Sequence, residues 1–272
     1  MRRIYADWRI FLISLILVFS GVTASAHADV RPVDLVLVLA ADVSDSIDSA
    51  EVKLQREGYI SAMRHPQTLQ AIKGGKHGRI AVAYFEWSDG GNQTLIVDWM
   101  TIEDELTGAQ FGERLKPAKI PEGHFTSISS AIQFALSMLK RSPYQSKSRV
   151  IDISGDGQNN SGPPLEPVRA EAKAQGVVIN GLPIVNDRGR HYTGLPPVKI
   201  QDYYRRNVIV GDSAFIITAK NFYDFERAIR RKLIREIADA RENQSFAENG
   251  LADPPPAADA FQVATDAPDI AR

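Results

Sequence analysis

Two carboxylates and three hydroxyls, far apart in the chain, have the types and settings of an oxygen-only cation site. Asp42-Val43-Ser44-Asp45-Ser46 closes an apolar run from Val33 to Ala41 that reads as a buried strand. Ser154-Gly155-Asp156-Gly157 closes a second run, Arg149 to Ile153, and Thr126 stands between them at the opening of an amphipathic helix. In an open α/β sheet the loops after the strands gather at one edge, and ligands bind there. Asp42, Ser44, Ser46, Thr126 and Asp156 at that edge would suit a hard divalent cation: Mg²⁺, with Mn²⁺ or Ca²⁺ also accepting oxygen ligands.

The elements that must position these residues alternate. Val33 to Ala41 is apolar on both faces, as a central parallel strand requires. Asp48-Ser49-Ala50-Glu51 has the form of a capping box and predicts a helix to about His65, with Val52, Tyr59, Ile60 and Met63 inward. Arg79 to Trp87 reads as a strand. After the Gly90-Gly91 turn, Thr94 to Trp99 alternates as its hairpin partner at a sheet edge. Helices are expected over Ile102–Leu115, Thr126–Leu139, Leu165–Gln175 and Ile200–Asn207, with strands at Arg149–Ile153, Val177–Val185 and Ala214–Thr218. Asn221 should cap a last helix to about Ala240, buried through Phe222, Phe225, Ile229, Leu233 and Ile237. The fold class is α/β: a doubly wound, mostly parallel central sheet with one antiparallel edge strand and helices on both faces.

The chain has 272 residues, 44% hydrophobic and 24% charged, with net charge −1. That is enough apolar material for a core, and the balance offers nothing to nucleic acid or to an anionic membrane surface. Met1-Arg2-Arg3 with Arg9, then Ile10 to Phe19, then either Ala24-Ser25-Ala26 or Ala26-His27-Ala28, fit the three regions of a secretory signal, with cleavage after Ala28 favoured. The apolar stretch is well short of the roughly 20 residues that span a bilayer. Residues 1–28 are therefore expected to be a cleaved signal peptide. A domain at 29–240 and a disordered Pro/Ala/Asp-rich tail at 241–272 follow, in an exported protein, periplasmic or secreted. There is no cysteine, which removes disulfides, thiolate ligands and cysteine nucleophiles.

Asp42-x-Ser44-x-Ser46, Thr126 and Asp156, with this element order, resemble the metal-ion-dependent adhesion site of von Willebrand factor A domains, in an exported bacterial subgroup. The resemblance covers essentially the whole domain. It implies that Ser44 and Ser46 ligate a cation through their hydroxyls and that Thr126 does so directly or through water. Asp42 and Asp156 would hold coordinating waters or bind directly. It also implies one open coordination position, filled by an acidic side chain of a protein partner. Two features depart from the family. Ser154-Gly155-Asp156-Gly157 stands where many members end the strand Thr-Asp-Gly, and bulky His124 and Phe125 precede Thr126 where small residues are common.

Other readings compete. Asp and Ser after a strand also serve as ordinary caps and turn formers. Gly155-Asp156-Gly157-Gln158-Asn159-Asn160 resembles the last motif of haloacid-dehalogenase-like phosphatases, which would make Asp42 a phosphoryl-accepting nucleophile beside Mg²⁺. Those enzymes need an acid two residues after the nucleophile, where this chain has Ser44, and an acid where it has Asn160. Asp152 sits inside a strand expected to be buried, which implies either a basic partner or a more open strand end. Glu86-Trp87-Ser88 ends its strand, where Glu86 could reach the rim, although local packing of Trp87 is the plainer expectation. His65, His77, His124 and His191 share no ligand spacing. Asp187 to His191 reads as a solvated loop, and Tyr203-Tyr204-Arg205-Arg206 is too short a basic and aromatic stretch for nucleic acid.

Overall fold

A computed structural model describes residues 31–119, 123–185 and 198–248. The expected signal at 1–28, His191 with its loop, and the tail beyond 248 lie outside these residues. The chain runs β1 (Arg31–Pro32), β2 (Val36–Asp42), α1 (Ser49–Arg64), α2 (Pro66–Lys73), β3 (Ile80–Trp87), β4 (Gln93–Ile102) and α3 (Glu105–Leu115). It continues through α4 (Ile128–Lys140), β5 (Tyr144–Gln145), β6 (Arg149–Gly155), α5 (Leu165–Ala174), β7 (Val178–Pro183), α6 (Ile200–Asn207), a 3₁₀ turn (Phe222–Asp224) and α7 (Phe225–Glu248).

Five strands form the central sheet in the order β4-β3-β2-β6-β7. β2 pairs in parallel with β3 and β6, β6 pairs in parallel with β7, and β4 is the antiparallel edge. Every residue of β2 is buried, because both sheet faces are covered. Leu37, Leu39 and Ala41 point to one face, against Tyr59, Phe225, Ile229 and Leu233 of α1 and α7. Val36, Val38 and Ala40 point to the other, against Ile128, Ile132 and Leu136 of α4 and Val168 of α5. The period-two alternation of β2 thus feeds two separate cores. This is the doubly wound sheet with one antiparallel edge that the sequence predicts.

The boundaries differ at several places, each for a local reason. Pro66 opens α2, which follows α1 at once; His65 accepts the Gln67 N–H through Nδ1 at 3.2 Å. With only Leu69 and Ile72 as apolar anchors, so short a helix has almost no periodicity to read. Ile102 belongs to β4 rather than to the next helix, since Asp104 caps α3 by accepting the Thr107 N–H at 2.8 Å. Ala214–Thr218 is not a continuous strand. It meets β7 at a single bridge, Gly181 to Ile216, while the Asn180 side chain takes the Phe215 N–H. The last helix continues past Ala240 to Glu248. Polar Glu242 and Asn243 carry no apolar stripe, yet they extend a helix already anchored by packing.

Candidate metal centre

β2 and β6 are neighbours in the sheet, so their ends bring Asp42 and Asp156 to one edge. The chain turns at Ser44–Ser46 before the capping box of α1, in which Asp48 accepts from Glu51 N–H and Glu51 accepts from Asp48 N–H, both at 2.9 Å. This cap fixes where the loop must stop and so where Ser44 and Ser46 lie. The Ser44 N–H donates to Asp42 Oδ1 at 2.8 Å. The Ser46 hydroxyl donates to Asp156 Oδ1 at 2.6 Å and lies 3.4 Å from Ser44 Oγ. Thr126 Oγ1 donates to Ser44 Oγ at 3.2 Å. All five side chains picked out in the sequence therefore form one connected cluster.

Thr126 precedes its helix rather than opening it. Ser127 is the N-cap of α4, and Asn160 clamps Thr126 from both sides: its side chain accepts the Thr126 N–H at 2.8 Å, and its own N–H donates to Thr126 O at 2.9 Å. Asn159 accepts the Ser129 N–H at 3.0 Å in the first turn of α4. The Asp89 carboxylate accepts the backbone N–H groups of His124 and Phe125. Asn159, Asn160 and Asp89 are positioning residues that carry no recognisable ligand spacing. Their only sequence signal is a set of amide and carboxylate side chains in loops that follow strands.

Electrostatically the cluster is unbalanced. Asp42 is fully buried, and burial first, then the nearby Asp156 charge, pushes its carboxyl well above the usual range, against the lowering pull of hydrogen bonds from Ser44 and from the Asp156 backbone. Its Oδ2 has no hydrogen-bond partner among the described residues. A buried carboxylate oxygen without a partner beside a second carboxylate is a site a cation would stabilise. The residues fit a hard divalent ion: Ser44, Ser46 and Thr126 offer neutral oxygens, and the two acids offer charge. Among the described residues no three His, Asp or Glu side chains gather as a metal cluster. A cavity of about 730 Å³ over Arg56, between α1 and α3, shares none of the five residues.

Glu86 does not reach this rim. It is buried and held by Arg56, Nε to Oε1 at 2.7 Å and Nη2 to Oε2 at 2.7 Å, while Trp87 packs in the core. Asp152 finds its basic partner in Lys232 of α7, 2.7 Å away, and the same Nζ donates to Glu236 at 2.6 Å. All three side chains are fully buried, and Asn180 donates to Glu236 Oε1 at 2.9 Å. Two buried carboxyls share one cation, so one is favoured to hold a proton. Burial raises Asp152 to about 7, with Glu236 pushing the same way and Lys232 opposing. The folded chain thus holds a proton on Asp152 that the unfolded chain releases near its ordinary value, and stability from this group falls as pH rises from about 4 to about 7. Urea unfolding from pH 5 to pH 8 should show Asp152→Asn gaining on wild type as pH increases; parallel curves would count against a shared proton.

Several solved structures share this architecture. A von Willebrand factor type A protein from Catenulispora acidiphila is 12% identical, with TM-score 0.53 over 75% of this chain and 43% of that one. The pilus adhesin SpaC from Lactobacillus rhamnosus GG is 14% identical, with TM-score 0.53 over 78% of this chain and 31% of that one. Proximal thread matrix protein 1 from the mussel byssus is 14% identical, with TM-score 0.50 over 76% and 46%. The chain spans less than half of each of these proteins. The fold is that of a von Willebrand factor A domain. Residues 32–241 match the family model described as "Protein of unknown function (DUF1194)", and the chain belongs to that family. No curated protein matches it in sequence.

Proposed function

We propose that this protein is an exported, divalent-cation-dependent binding module that captures an acidic side chain of a partner protein through an open coordination position. The observation that carries this reading is the convergence of Asp42, Ser44, Ser46, Thr126 and Asp156 on one cluster at the C-terminal edge of the sheet. With three of five ligands neutral, a bound Mg²⁺ or Mn²⁺ keeps most of its positive charge, and an incoming carboxylate is favoured. Adhesin and matrix proteins of the same fold support a binding role over an enzymatic one. Phe125, 57% exposed next to Thr126, gives the rim an apolar contact beside the cation position. No described helix is long and apolar enough to cross a membrane.

The test is calorimetric titration of the chain with Mg²⁺ and Mn²⁺, wild type beside Asp42→Ala and a Ser44→Ala, Asp156→Ala double variant. Wild type should bind one ion, and both variants should lose at least about 100-fold in affinity with unchanged circular dichroism. An acidic peptide should then bind wild type in Mg²⁺ but not in chelator. Unchanged ion affinity in the double variant would place any metal elsewhere and sink the reading.

A further inference from the structure

Two buried oxygens near the candidate centre lack partners among the described residues, and they border the same spot. One is Asp42 Oδ2; the other is the hydroxyl of Tyr204, a fully buried residue of α6. A Cβ placed on Gly155 would lie 2.7 Å from Asp42 Oδ2 and 2.8 Å from the Tyr204 hydroxyl. Only glycine at 155 leaves that spot open, so the Gly155 that departs from the family pattern makes room for the approach. An unpaired buried hydroxyl costs about 1–3 kcal/mol, and phenylalanine would fill the same apolar volume without that cost. A polar partner at the spot beside Gly155 would offset that cost.

We propose that Tyr204 is a positioning residue for the cation site: its hydroxyl donates through one bridging water, seated at the spot Gly155 leaves open, to Asp42 Oδ2, and so orients the carboxylate from behind. The inference rests on the proposed cation site. Phenol O–H and carboxylate oxygen are complementary donor and acceptor. The other oxygen, Oδ1, already accepts the Ser44 N–H at 2.8 Å, so the added donor holds both ends of the carboxylate. A tyrosine phenol keeps its proton at neutral pH and is therefore a donor. The neighbouring residue acts on the other flank: the Tyr203 hydroxyl accepts the Asn159 N–H at 3.1 Å, and Asn159 in turn holds Ser129 of α4. The Tyr203-Tyr204 pair, unassigned in the sequence, thus makes α6 the back-plate of the site.

The experiment compares wild type and Tyr204→Phe by Mn²⁺ calorimetry and by thermal unfolding in chelator. Groups that orient metal ligands are worth about 10–100-fold in affinity. Tyr204→Phe should weaken Mn²⁺ binding by at least about tenfold, with a metal-free melting temperature equal to or above that of wild type. Equal affinity in the two proteins would overturn the role of Tyr204 while leaving the cation site standing. A lower metal-free melting temperature with unchanged affinity would make the hydroxyl merely structural. Absence of Mn²⁺ binding in wild type would overturn the site and this inference together. Gly155→Ala, which fills the shared spot, should weaken binding at least as much; full retention of affinity would also overturn the proposal.

Discussion

Lys232→Met should lower the unfolding free energy by about 3–5 kcal/mol at pH 8. The ammonium is fully buried between Asp152 at 2.7 Å and Glu236 at 2.6 Å. Removing it leaves two buried carboxyls, with Asn180 the one side chain among the described residues that donates to either of them. Desolvation and repulsion then favour protonation of Asp152 still more, so the loss should shrink toward pH 5, where protons are plentiful. Denaturant unfolding at the two pH values checks both size and direction. A loss below about 1 kcal/mol at pH 8 would mean that the layer is wet and the cation dispensable. The location explains the size: Asp152 is on β6, two residues before Ser154, and Lys232 is on α7, so this contact ties the last helix to the strand that leads into Asp156.

Arg56→Leu should cost a similar amount, about 3–5 kcal/mol. Arg56 grips Glu86 with two nitrogens and also donates to the carbonyls of Ala118 and Lys119. Glu86 is fully buried, and its remaining donor is the Tyr84 hydroxyl at 3.1 Å. Leucine would strand that carboxylate and release the chain after α3. Pairing Arg56→Leu with Glu86→Leu should recover much of the loss, because no charge is then left alone. A double variant as unstable as the single one would show that the carbonyl contacts, rather than the ion pair, carry the stability. Chemical denaturation of the four members of the cycle separates the two contributions.

What sequence alone discloses is the sheet and the edge where it can do chemistry. Val33–Ala41 and Arg149–Ile153 are apolar on both faces and end in polar, small residues, so the ends of β2 and β6 announce themselves. Asp48 and Glu51 mark a helix start because capping is a local matter of three residues. Long-range pairing leaves no such mark. Arg56 meeting Glu86, or Lys232 meeting Asp152, depends on which helix covers which strand, and single-sequence periodicity is blind to that. Asp152 is half an exception, since an acid inside a buried strand demands a cation without naming it. The same limit hides Tyr204: a tyrosine on a short amphipathic helix looks like ordinary core until its hydroxyl and Asp42 Oδ2 are found bordering the same spot at Gly155.

The cluster at the sheet edge joins residues far apart in sequence: 82 positions between Ser44 and Thr126, and 110 between Ser46 and Asp156. No fragment holding one strand and its loop contains the whole set, and a collapsed chain with β2 and β6 apart presents none of it in register. A ligand seated there recognises the finished fold alone. It would therefore draw the folding equilibrium toward the native state by RT ln(1 + [L]/Kd), about 2.7 kcal/mol when the ligand stands at 100 times its dissociation constant. In a chain without cysteine, the composition of the surrounding solution would then set how firmly the molecule stays folded, a task that covalent cross-links perform in many other proteins.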